Sequence, residues 1–305
     1  MKQYYYPILV LLVTLALLAP IGSNVAFAQS PNVQKALEDV RTKLDDLVTT
    51  KDENPTNDLA IRIATYKKVL SFAIAEAEDL KIKLVTIEEQ EQSSEIKQWK
   101  EEVLEDLNAA ITFYRSEEKA LQESAATLSS LRTRAEIFKT FREETFLPLA
   151  DTIQDFLLLN HEERVLEVAK RRLQKIREDV KKLEAIKFKG AGELRTLFEK
   201  ADETLVQGEE AYQAAWKLFG NTYIVQPAST TIAEAPEATS TKITDEETRS
   251  PEALPLSLAT SSDKEAGATS SQPSIKDLAK HSLDAVQETY RIFIEMSNLV
   301  RKLLK

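Results

Sequence analysis

From Leu59 the apolar residues return in steps of four and three: Leu59, Ile63, Tyr66, Leu70, Ala73, Ala77, Leu80, Leu84 and Ile87. Steps of that size fall on one face of a helix, so the stripe predicts a helix roughly 50 Å long with one buried side. Related stripes precede and follow it. Val33, Leu37, Val40, Leu44 and Leu47 form one, opened by Ser30 as N-cap and Pro31 in the first helical turn. Pro55 separates it from the next. A third begins at Ile96 and Trp99, runs through Val103, Leu107, Ala110 and Tyr114, and resumes at Leu121 through Leu131 to Phe138. Glu117 and Glu118 fall on its seam and predict a break or a solvated patch there.

Further along, Pro148 predicts an end or a kink near Phe146, followed by a short helix to about Leu159. Asn160 with Glu163 three residues on reads as a capping box, opening a helix with seam Leu166, Ala169, Leu173, Ile176, Val180 and Leu183. Gly190 predicts a left-handed C-cap and a turn. The next helix, about Gly192 to Phe219, carries Leu194, Leu197, Ala201, Leu205, Tyr212, Ala215 and Phe219 on one face, and Gly220 ends it. Short breaks between long amphipathic segments predict antiparallel neighbours. The fold class is therefore all-α: an elongated antiparallel helical bundle or a series of coiled-coil hairpins.

Two segments stand apart. Residues 222–273 are rich in Ser, Thr, Ala, Pro and Glu, without sustained apolar periodicity, which predicts a disordered linker. A flexible chain of about 50 residues spans roughly 40 Å, enough to place the last helix almost anywhere on its own bundle or on a neighbour. That last helix, 274–305, is amphipathic, with Leu278, Ala285, Ile292, Met296, Leu299 and Leu303 on one face, and Ser274 with Asp277 as its cap.

Residues 1–28 read as a secretory signal. Lys2 is followed by an apolar stretch from Ile8 to Ala19, and Ala26 and Ala28 form the small-x-small cleavage site. The apolar stretch is short for a membrane span, so an uncleaved anchor is the weaker reading. The mature domain then covers 29–221. The chain has no Cys and no usable Asn-x-Ser/Thr sequon, which favours a bacterial envelope over a eukaryotic secretory route.

Composition narrows the function. Of 305 residues, 30% are charged and only 6 are Gly, which argues against barrels and sandwiches. A net charge of −10 argues against nucleic acid as a partner. Carboxylates number 50, so a pair such as Glu162 and Glu163 says little about acid–base chemistry. His161 and His281 are far apart in sequence, and a shared metal site would need the last helix to fold onto the helix that carries His161. Gly190–Glu193 lacks the Lys-Ser/Thr of a phosphate loop, and no Gly-x-Ser-x-Gly occurs. No cofactor, metal or catalytic residue is expected.

The expectation is a non-enzymatic exported scaffold or binding protein of the bacterial cell envelope. Its partner would be a protein or a cell-wall component, met through the bundle ends or the C-terminal helix. Tyr212 and Trp216 on one helix, and Phe293 and Met296 on the last, are the candidate contact residues. The amphipathic face of the last helix also suits packing on the bundle, self-association into a homo-oligomer, or peripheral membrane contact, in that order. The alternative is an extracytoplasmic domain that senses a ligand or a metal. The locally basic run Ala169–Lys182 reads as a solvated face that pairs with acidic neighbours.

Overall fold

The computed structural model describes residues 30–50, 58–87, 93–123, 127–224 and 273–303. The signal at 1–28, with Ala26 and Ala28, and most of the 222–273 linker lie outside the described residues. Every described element is helical. In chain order they are α1 (Pro31–Thr50), α2 (Asp58–Thr86), α3 (Ser94–Glu123), α4 (Leu128–Phe141), a π turn (Arg142–Phe146), α5 (Leu147–Ala185), α6 (Ala191–Phe219), a second π turn (Gly220–Ile224) and α7 (Ile275–Leu303).

Cross-helix pairs fix the directions. Lys68 Nζ meets Asp39 at 2.7 Å and the Thr65 hydroxyl reaches the Lys43 carbonyl, so α1 and α2 are antiparallel. Arg115 meets Glu78 at 2.6 Å and Lys81 donates to Asn108 at 2.7 Å, so α2 and α3 are antiparallel. Arg134 meets Glu117 at 3.2 Å, folding α4 back on α3. These four helices form one bundle, with α2 at its centre. The stripe from Tyr66 through Leu70, Ala73, Ala77 and Leu80 to Leu84 is buried, and Arg62, Thr65, Val69 and Phe72 are buried beside it.

α4, the first π turn and α5 form one unbroken helical rod from Leu128 to Ala185, roughly 85 Å long. The chain neither ends nor restarts at Pro148. Pro148 has no N–H to give and its ring crowds the carbonyl four residues back. The rod widens into the π turn just ahead of it, where the Leu147 N–H bonds to the Arg142 carbonyl five residues earlier. Asn160 is likewise no cap: it sits within α5, and its side-chain amide donates to the Phe156 carbonyl at 2.8 Å. Glu117 and Glu118 do not break α3, which continues to Glu123, and α4 starts afresh from Thr127, capped with Ser130.

The second half of α5 builds a second bundle with α6 and α7. A turn reverses the chain between α5 and α6. Its left-handed residue at the end of α5 is Lys187 (φ 53°), after which the Phe188 N–H bonds to the Leu183 carbonyl. Gly190 (φ 92°) is left-handed too, but it opens α6. α6 does not stop at Gly220 and runs on through the second π turn to Ile224. The capping boxes at Thr127 and at Ser274 with Asp277 close reciprocally.

The bundles meet at α5. Residues Asp155, Phe156, Leu157, Leu158 and Leu159 are all buried. Successive residues point about 100° apart, so at this level the helix is enclosed on every side. Trp99 from α3 packs on Phe156 at 4.8 Å and on Phe219 of α6 at 5.2 Å between ring centres. Replacing Phe156 by Ala removes the ring shared by both bundles. We expect a loss of about 3–5 kcal/mol in unfolding free energy by chemical denaturation followed by circular dichroism. A loss under about 1 kcal/mol would mean that the bundles are held together elsewhere.

Candidate interaction site: the seat of the C-terminal helix

α7 lies in the groove between α5 and α6 of its own chain. It runs parallel to α5 and antiparallel to α6. At its start, Lys276 Nζ lies 3.3 Å from Asp151 and 3.9 Å from Asp155 on α5. Midway, the Arg172 guanidinium of α5 stacks over the Tyr290 ring at 5.0 Å, and Lys200 of α6 faces Glu288 at 3.9 Å. At its end, Leu303 covers Gly190, where an added Cβ would fall 2.3 Å from a Leu303 methyl.

The seat is cut to shape by small residues. α6 has Gly208 where its seam steps from Leu205 to Tyr212. A Cβ there would lie 3.1 Å from the Ala285 Cβ and 3.3 Å from the Ser282 carbonyl oxygen. On α7 the buried seam is Ile275, Ala279, Ser282, Val286, Thr289, Ile292 and Met296, while Leu278 and Ala285, expected on it, lie at its half-buried margin. Ser282 and Thr289 place hydroxyls on the seam, both fully buried. Thr289 gives its hydroxyl to the Ala285 carbonyl at 2.9 Å.

Two carboxyls are buried along this seat. Glu162 of α5 is fully enclosed. Burial raises its carboxyl from the ordinary 4.5 to about 7, against the pull of the Ser282 hydroxyl that faces it from α7. No hydrogen bond of ordinary length closes on either Glu162 oxygen or on the Ser282 Oγ. Asp155, two turns earlier on α5, is also buried. Burial raises it to about 6, with the Lys276 ammonium opposing and Asp151 adding to the rise. Tyr223, in the second π turn, donates its hydroxyl to Asp155 at 3.4 Å.

The candidate contact residues divide. Tyr212 and Met296 belong to the core of this bundle, so neither is available as a contact residue while α7 is seated. Burial also lifts the Tyr212 phenol above its ordinary range. Trp216 and Phe293 are half-buried. Trp216 packs edge-on against Phe156 and Phe219 and donates its indole N–H to the Tyr212 hydroxyl. Phe138, Phe141, Phe146 and Phe156, close together in the sequence, separate in space. Phe138, Phe141 and Phe146 surround Tyr114 in the α2–α4 bundle, while Phe156 joins Trp99, Trp216 and Phe219 at the junction.

The basic run on α5 is largely committed to neighbours. Lys170 meets Glu209, Arg177 meets Asp202 at 3.3 Å, and Arg172 covers Tyr290. α7 does fold onto α5 near His161, but no group of three or more metal-ligating side chains gathers among the described residues. Both histidines are exposed. Among the described residues no helix is long and apolar enough to cross a membrane. A buried ion pair, Arg142 to Glu76 at 2.7 Å, locks the first π turn against α2, with the guanidinium over the Phe72 and Phe146 rings.

Sequence reasoning passed over Glu162 and Asp155. The signal was present: stepping back four from Leu166 gives Glu162, and seven more gives Asp155, so both stand on the apolar seam. The chain matches no protein-family model, no curated protein and no solved structure.

Gly208→Val would force the α6 and α7 backbones apart. We expect it to weaken the seating of α7 by about 1–3 kcal/mol, read as faster amide exchange over 275–303 with α2 unchanged. Unchanged exchange in α7 would show that the close approach at Gly208 does not hold the helix.

Proposed function

We propose that this chain is an exported, non-enzymatic helical scaffold of the bacterial cell envelope that meets a protein or cell-wall partner through α7 and the junction end of its bundle. The scaffold is the rod of α4 and α5 with the helices clasped to it. The contact element is α7, which can leave its seat without leaving the chain.

One observation carries this reading. The described residues on either side of 225–272 meet at one side chain: Tyr223 and Lys276 both reach Asp155. A connection between neighbouring antiparallel helices needs only a few residues. The roughly 50 that intervene add reach that the seated helix does not use, and a tether of that kind keeps a released helix at high local concentration near its seat. Another feature supports the same reading. The N-terminal segment has the pattern of a secretory signal.

The seat provides its own test. A Cβ added at 208 would lie 3.1 Å from that of Ala285, a little inside the roughly 3.5–4.5 Å of a relaxed disulfide, so a bridge here needs a small outward shift of α7. The chain has no native Cys to compete with it. Gly208→Cys combined with Ala285→Cys, once oxidised, locks α7 in place. Full-length mature protein, locked or reduced, is used to capture partners from an envelope extract. We expect capture to fall at least tenfold in the locked form and to recover on reduction. Equal capture in both forms would remove α7 release from the account. Export is checked by N-terminal sequencing of the mature chain, which should begin at Gln29.

A further inference from the structure

The seat of α7 contains an unusual residue for a helix–helix seam. Glu162 occupies a core position on α5, fully buried, where its neighbours one and two turns on are Leu166 and Ala169. Its carboxyl faces the Ser282 hydroxyl on α7 and lies near Tyr212 on α6, so all three helices of the bundle close over it. Neither oxygen finds a hydrogen-bond donor at ordinary distance. A buried carboxylate without donors is far costlier than the same carboxyl protonated.

We propose that Glu162 is a protonation latch for α7: the helix is seated while Glu162 holds a proton, and its seat loosens when the carboxyl ionises. Asp155, at the start of α7, is the weaker second part of the same latch. The inference rests on the reading of α7 as the releasable contact element, and adds how release is controlled.

The surrounding charges favour this arrangement. On α5 the groups beside the latch are His161 and Glu163, with Asp155 two turns and Asp151 three turns nearer the start of the helix. From α6 comes Tyr212, whose phenol is disfavoured as an anion by burial and by the charges of Glu163 and Glu162. From α7 comes Ser282, which is not a cation. The α7 ammonium that reaches this face, Lys276, is engaged with Asp151 and Asp155 instead. From the second π turn comes Tyr223, on Asp155. Glu162 therefore has no positive partner among the groups that face it, while Asp155 has Lys276.

The sign follows from linkage. With α7 seated, Glu162 keeps its proton up to about 7, against an ordinary 4.5 once exposed. Seating is therefore strongest below about 4.5, weakens steadily as pH rises, and reaches its floor above about 7. Asp155 adds a smaller change in the same direction between its ordinary 3.8 and about 6. From pH 5 to pH 8 Glu162 alone should raise the opening equilibrium of α7 by somewhat under about 100-fold, and Asp155 by up to about tenfold more.

The test is amide exchange of the full mature chain between pH 5 and pH 8, corrected for the intrinsic pH dependence of exchange and referenced to α2. We expect the protection of 275–303 to fall by roughly 100-fold or more relative to α2 in the native chain. In Glu162→Gln, which keeps the shape without the charge, most of that fall should vanish. Asp155→Asn should remove only the part below about pH 6. A flat profile in the native chain overturns the latch, and needs no variant to do so. A fall that is equally steep in Glu162→Gln also overturns it, by moving the titration elsewhere. The outcome is separable from the reading it rests on. A pH-dependent seat with equal capture by locked and reduced protein keeps the latch and discards the contact role. Lock-sensitive capture with a flat profile does the reverse.

Discussion

The structure depends on one short stretch of α5 being buried around its whole circumference. Phe156 and its neighbours are held by Trp99 from one bundle and by Phe219 and Trp216 from the other. An isolated amphipathic helix buries one stripe and leaves the rest wet. Here a continuous rod passes through two sets of partners, and the layer where they overlap joins them into one hydrophobic core. Because the rod is unbroken, the orientation of α2 and α3 on one side constrains that of α6 and α7 on the other. The π turn serves the same end. It lets the rod pass Pro148 without a break, and the buried pair of Arg142 and Glu76 ties that turn to α2.

Away from the junction, the seams differ in quality. The α1–α2 and α2–α3 contacts are mostly apolar with ion pairs at the margin, such as Lys68 with Asp39 and Arg115 with Glu78, half-exposed pairs that contribute little each. The α7 seat is different. It combines close backbone approach at Gly208, hydroxyls at seam positions, and a buried carboxyl. Small residues admit close packing, which favours one register. The polar slots weaken the seat relative to an all-apolar one. A helix held tightly in register but modestly in energy is suited to reversible release.

Much of this was legible in the chain. The stripe from Leu59 to Ile87 predicted a long helix with one buried side, and its members from Tyr66 to Leu84 are buried. The Ser30 cap, the capping pair of Ser274 and Asp277, and the turn near Gly190 appear where spacing placed them. The failures have physical causes. Asn160 and Glu163 match a capping box in type and spacing, but the helix enclosed on every side over 155–159 runs straight on through them, as tertiary packing overrides a local stop signal. Pro148 reads as a break because local rules count its lost hydrogen bond, whereas the π turn absorbs it. Packing on its own bundle was the first-ranked reading of the last helix, but the groove it takes was invisible, since a tether of about 50 residues permits many seats and only packing selects one. Glu162 was discounted for being one acid among many. Its position on the seam, rather than its type, marks it.

Placement of α7 on its own chain is the claim on which the rest turns, and a distance measurement tests it most directly. Gln207 and Asp284 are exposed on α6 and α7 near the close approach at Gly208. With no native Cys, each can be replaced by Cys and spin-labelled cleanly. Pulsed electron–electron resonance on the doubly labelled mature chain, diluted with unlabelled protein at pH 5, should give one short, narrow distance that dilution leaves unchanged. A broad or long distribution, or a short distance that disappears on dilution, would contradict the account, because α7 would then be unseated or seated on another copy.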